Sequence, residues 1–213
     1  MIRPGERPSE MVDLQGAWRR DGRSLSDGPM DEVADVLWLQ VGRFFCDLRT
    51  PRPMTGPSHV LDQPQAFSGS VMIEGGAISF HHDLDSLSRD PLHPDEGTVH
   101  CNDDVMFERG PGFEEIWRAT SLPGDDTDIA ELRPSGVREG APMARLIRIG
   151  WVALAVWGGA TPGGAQFTTT SGWLRERHLH EPDVTMAIDA AALRMGQGDP
   201  LPGNWVTIDP GEV

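Results

Sequence analysis

Short apolar runs, broken by polar residues and punctuated by Gly and Pro, recur along most of the chain. Such a pattern predicts many strands joined by turns rather than long helices. Residues 14–20 form a first short strand, and 36–41 and 44–49 form a pair around Gly42, with Pro51 and Pro53 stopping the second. Residues 68–74 and 77–84 flank Gly75-Gly76, a dipeptide whose access to positive φ suits a two-residue hairpin loop. Residues 98–101 and 105–108 flank Asn102-Asp103-Asp104, and 113–119 follow Gly110-Pro111-Gly112, so the series reads as a β-meander.

The second half is less regular. Residues 122–142 are rich in Asp, Gly and Pro and predict a loop with at most one short strand at 129–132. The most apolar stretch, 144–157, carries the β-branched Ile147, Ile149, Val152 and Val156 and predicts one strand bent at Gly150, with 166–174 as its antiparallel neighbour. Residues 184–195 place Met186, Ile188, Ala192 and Met195 without strict alternation and predict one short helix, after which 205–208 form a last strand closing the sheet. About ten strands in mostly sequential order with one short C-terminal helix predict an all-β, antiparallel up-and-down barrel, whose closure removes exposed edges. A β-sandwich is the runner-up. No repeat with the period of propeller blades is evident. The expected organisation is a single domain over 1–213, with 1–12 as a flexible N-terminus.

Composition changes this picture in two ways. Seven Trp and seven Phe within 38% hydrophobic residues supply a core despite 25 Gly and 18 Pro. The formal charge of −15 sets a field that repels phosphate backbones and anionic lipid surfaces, so no nucleic-acid or membrane partner is expected. Residues 1–10 lack the apolar run of a secretory signal, and Cys46 and Cys101 sit in strand patterns without metal or CxxC spacing. A cytoplasmic protein with buried thiols is expected. The sequence leaves a homodimer open.

Gly16-Ala17-Trp18 resembles the Gly-Xaa-Trp signature of the lipocalin and calycin superfamily. The combination of Trp18-Arg19-Arg20, Trp38-Leu39-Gln40 and 45–51 is similar to a poorly characterised lipocalin-like family of fungi and bacteria. Residues 80–85, Asp95-Glu96-Gly97, and Glu108-Arg109-Gly110 leading into 113–117 extend the similarity over roughly 14–119. Phe80 and Phe113 stand where that family leads one to expect Trp and Tyr. The resemblance implies a barrel with a ligand cavity and supplies no reaction.

Alternate strand residues share a face, which sorts the candidate chemistry. Phe45, Asp47 and Arg49 share one; Arg49 there offers planar, bidentate donors to a ligand, or else forms an ordinary ion pair with Asp47 on the outer surface. Trp38 and Gln40 share a face that fits either ligand orientation or core. Phe113, Glu115 and Trp117 form a third: Glu115 is either a desolvated carboxyl able to move a proton or a counter-ion for an inward Arg20 or Arg49. His82 falls with Ile78, Phe80 and Leu84 and is a second proton-transfer candidate, or a hydrogen-bonded core histidine. His178 and His180 have a spacing that a surface metal would need, but no HExxH or similar pattern supports one, and no metal or cofactor is assigned.

Nucleophile-elbow, P-loop and dinucleotide fingerprints are absent. Two function classes follow. In the first, the barrel binds a hydrophobic small molecule with a polar or anionic group, through Trp38, Gln40, Asp47, Arg49, Trp117 and Arg20. In the second, it is a cofactor-independent isomerase, cyclase or lyase in which His82 or Glu115 transfers a proton. A third, an interaction module with a filled core, predicts no cavity.

Overall fold

The computed structural model describes residues 14–26, 28–52, 65–85, 87, 94–120, 127–132, 144–149, 152–157, 159–161, 164–166, 171–174, 177–178 and 206–208. Eight antiparallel strands close a barrel in sequential order: β1 (Gly16–Leu25), β2 (Ala34–Val41), β3 (Phe44–Pro51), β4 (Gln65–Glu74), β5 (Ala77–Asp85), β6 (Asp95–Asn102), β7 (Val105–Gly110) and β8 (Phe113–Ala119). β8 returns to β1 with Arg20 opposite Trp117. The barrel is lipocalin-like in architecture, with eight strands rather than about ten. The Gly75-Gly76 hairpin turn is as expected, with φ of 59° and 83° at its two residues.

The strands beyond β8 build something else. β9 (Thr127–Leu132), β10 (Ala144–Ile149), β11 (Val152–Trp157), β14 (Ser171–Leu174), β15 (Arg177–His178) and β16 (Val206–Thr207) form a second sheet in the order β15-β14-β11-β10-β9-β16, while β12 (Gly159–Thr161) pairs only with β13 (Gly164–Gln166). The single bent strand expected over 144–157 is thus two antiparallel strands, with Ile149 paired to Val152. Of the neighbour expected over 166–174, Ser171, Gly172 and Trp173 pair with β11. The last strand borders β9 in this second sheet and does not close the barrel. The helix expected over 184–195 lies outside the described residues.

Two cores result, one on each face of β2 and β3. Inside the barrel, Trp18, Trp38, Phe45, Phe67, Val71, Ile78, Val99, Met106 and Trp117 pack together. Outside it, Leu37, Leu39, Phe44, Cys46 and Leu48 pack against Ile129, Ile147, Ile149, Leu154 and Val156 of the second sheet. β2 is therefore buried along almost its whole length. Full burial also explains the Cys46 thiol, whose desolvation pushes its pKa up to about 12, while Cys101 is only half-buried.

Two irregularities reset which side chains face inward. In β5, Ser68 faces Leu84 but Gly69 faces His82, so Asp83 is an extra residue. This bulge keeps His82 inward and sends Leu84 to the outer core, where simple alternation would have kept the two together. Gly69 makes room for it: a Cβ there would stand 1.8 Å from the His81 carbonyl oxygen. Gly69→Ala is expected to destabilise the fold by at least the roughly 1–3 kcal/mol typical of overpacking. A urea midpoint unchanged from wild type would show that the bulge relaxes freely. A second shift in β1 skips Asp21 between Arg20 and Gly22, and it turns Arg23 toward Glu115.

Candidate functional site

One end of the barrel carries the tight hairpins between β2 and β3, β4 and β5, and β6 and β7. Toward the other end lies a cavity of about 430 Å³, within the size range of about 300–1,000 Å³ usual for small-molecule sites. Its walls are aromatic: Trp38, Phe45, Phe67, Phe80, Phe113 and Trp117. Four of them brace one another edge to face, Trp38 against Trp117 and Phe80 with centroids 5.4 and 5.6 Å apart, and Phe45 against Phe80 at 5.5 Å. Trp38, Asp47, Arg49, His82, Glu115 and Trp117, all singled out from the sequence, line it.

Gln40 and Arg20 do not line it. Gln40 is fully buried, accepts from the Trp38 indole Nε1 at 3.2 Å and donates to the Gly42 carbonyl at 2.9 Å. Arg20 lies behind the wall over the Trp117 ring, donating to both oxygens of Glu32 at 2.7 and 3.0 Å and to Glu115 Oε1 at 2.7 Å. Burial works to lower the Arg20 pKa, but the Glu32 hydrogen bond and Glu115 outweigh it and the net shift is upward.

Most of the charged groups are engaged with one another. Arg49 clasps Asp47 through two hydrogen bonds of 3.1 Å and sits over Phe67; burial opposes its charge, and Asp47 and Glu115 more than offset that. Glu115 is the counter-ion foreseen as one alternative, holding Arg20 and also Arg23, whose Nε lies at 3.1 Å. Burial lowers the Arg23 pKa even so.

Sequence reasoning missed Arg23 and Glu108. Glu108 on β7 stands opposite Glu115 and accepts from the Trp117 Nε1 at 3.1 Å. Burial first, then the Glu115 charge, push its pKa up to about 8. A signal for Glu108 was present: the Pro111-Gly112 turn pairs Gly110 with Phe113, and counting back along both strands places Glu108 against Glu115. Arg23 had none, because the skipped residue in β1 reverses its face.

His82 packs edge-on against Phe45 and Phe67. Its Nε2 is 3.2 Å from Asp95 Oδ2 and its Nδ1 4.0 Å from Asp85 Oδ2, yet neither buried nitrogen makes an aligned hydrogen bond. Asp95, Glu96 and Pro94 complete the mouth. Among the described residues no group of His, Cys, Asp and Glu is arranged to hold a metal ion.

The fold and this cavity together define a lipocalin-like β-barrel with an added sheet. Among solved structures, an uncharacterised protein of Saccharomyces cerevisiae matches over 91% of this chain and 97% of its own, at 14% identity and a TM-score of 0.62, so the two share a fold. A lipocalin-like protein of Bacteroides uniformis aligns over 51% of this chain and 99% of its own, at 17% identity and a TM-score of 0.38. An uncharacterised protein of Bacteroides eggerthii aligns over 50% of this chain and 98% of its own, at 12% identity and a TM-score of 0.38. No protein-family model and no curated protein matches the chain.

Proposed function

We propose that this barrel binds a small, largely apolar molecule carrying one polar group, with the apolar body against Trp38, Phe45 and Trp117 and the polar group among the buried charges. The observation that carries this reading is an open volume of about 430 Å³ lined by six aromatic rings. An interaction module with a filled core would not leave it. Native mass spectrometry of protein purified from its host is expected to show a retained small molecule, released on denaturation. A bare polypeptide mass, together with no quenching of Trp38 and Trp117 fluorescence by aromatic amphiphiles, would overturn the assignment.

One observation favours proton transfer as a second reading. His82 presents two buried ring nitrogens without an aligned partner to the same cavity that holds Glu108, a carboxyl still protonated near neutral pH. In this reading His82 is the base, and Glu115, occupied by two guanidiniums, serves to position them rather than to react.

A further inference from the structure

The charges in and behind the cavity wall do not balance. Three guanidiniums, of Arg20, Arg23 and Arg49, face four carboxyls, of Glu32, Asp47, Glu115 and Glu108. Glu32 and Glu115 take Arg20, Glu115 also takes Arg23, and Asp47 takes Arg49. Glu108 is left over. It is 7% exposed, forms no ion pair among the described residues, and its one hydrogen bond comes from the neutral Trp117 indole to Oε2. Its side chain lines the cavity.

The groups around Glu108 are of both signs, and the cations among them already face other carboxylates. From β8 it faces Glu115, from β3 Asp47 and Arg49, and from β1 Arg23. At the mouth, β5 contributes His82 and β6 contributes Asp95 and Glu96, so the approach to the cavity is acidic as well. The walls are also suited to cations. Three of their rings already carry one, with Arg20 over Trp117, Arg23 over Phe113 and Arg49 over Phe67. An anionic ligand would find Arg20 and Arg49 already hydrogen-bonded to carboxylates and only Arg23, whose buried Nε lies 3.1 Å from Glu115 without an aligned bond, left to meet it, and would add a fifth negative group beside Glu108. A cationic one would supply the charge that Glu108 lacks.

We infer that the polar group of the ligand is a protonated amine, seated between the Glu108 carboxylate and the Trp117 and Trp38 rings, an assignment that rests on the cavity being a ligand site. With the cavity empty, Glu108 relieves the imbalance by keeping its proton, since burial and Glu115 hold its pKa up at about 8. An arriving ammonium takes that proton's place, so binding releases one proton to solvent. The affinity therefore rises with pH until Glu108 is ionised in the empty protein, and levels off above that.

The test uses three probes with one skeleton, phenylbutylamine, phenylbutanol and phenylbutyrate, titrated into the full-length protein by calorimetry with tryptophan quenching in parallel. The amine is expected to bind at least about tenfold more tightly than the other two at pH 8, and about tenfold or more tightly at pH 8 than at pH 6, a range over which it stays protonated. Calorimetry in buffers of different ionisation enthalpy should register the released proton. Glu108→Gln should remove both the amine preference and the pH dependence while phenylbutanol still binds, which also reports that the variant is folded. Phenylbutyrate or phenylbutanol binding as well as the amine, or an amine affinity independent of pH, would overturn the inference and leave the binding reading standing. If none of the three binds, both fall.

Discussion

Replacing Arg145 by Met is expected to destabilise the protein by about 3–5 kcal/mol, the usual cost of stranding one member of a buried ion pair. Arg145, 1% exposed, rises from β10 into the seam between the second sheet and the barrel. There it donates to Glu131 Oε1 at 3.1 and 2.5 Å, to Asp83 Oδ2 at 2.7 Å, to Ser68 Oγ at 3.1 Å and to the Gly69 carbonyl at 3.0 Å, and it lies over Phe44. Burial opposes its charge, and Asp83 and Glu131 outweigh that, so its pKa is raised. Met keeps the length of the side chain but takes the guanidinium away from the Glu131 carboxylate, itself 1% exposed. Arg145→Met combined with Glu131→Met should recover most of the loss, since two apolar side chains can replace a buried pair at little cost. Urea unfolding of the single and double variants decides this. Equal losses in both would mean that packing, and not the stranded charge, is what Arg145 provides.

The second large effect depends on pH. The folded-state pKa of Glu108, about 8, lies above its ordinary value of 4.5. A carboxyl shifted in that direction contributes stability that is complete below the ordinary value and is lost as pH rises through the folded one. Glu108→Gln imitates the protonated form at every pH. The stability of the variant relative to wild type should therefore improve by on the order of 1 kcal/mol per pH unit between about pH 5 and 8. Urea midpoints at three pH values measure it. A gap that stays constant across the range would show that Glu108 is ionised throughout.

Much of the barrel was legible in the sequence because most of its strands keep a two-residue period between recognisable turns. Phe45, Asp47 and Arg49, Trp38 and Gln40, and Phe113, Glu115 and Trp117 share inward faces as their spacing demanded. What could not be read depends on distant partners. The spacing of Arg20 says nothing of Glu32, which meets it across the connection between β1 and β2, and so nothing of its being spoken for. The second sheet was hidden for the same reason: apolar strands such as 144–149 announce burial without saying against what. The bulges at Asp21 and Asp83 each break the period silently, and they govern Arg23, His82 and Leu84. Glu108 was passed over because a lone acid near a turn usually faces water.

The two cores on either side of β2 and β3 bear on how such a protein can change. Any substitution in these strands must fit a packed surface whichever way it points, so that half of the wall is an anvil, nearly fixed in shape. The outer faces of β7 and β8 are wet, with Phe107, Arg109, Glu114 and Arg118 exposed. Backbone adjustments there meet only solvent on one side. Glu108, Glu115 and Trp117 stand on those two strands. Divergence of cavity shape and charge among proteins of this architecture should therefore concentrate on β7 and β8, while the anvil opposite keeps the cavity's aromatic floor in place.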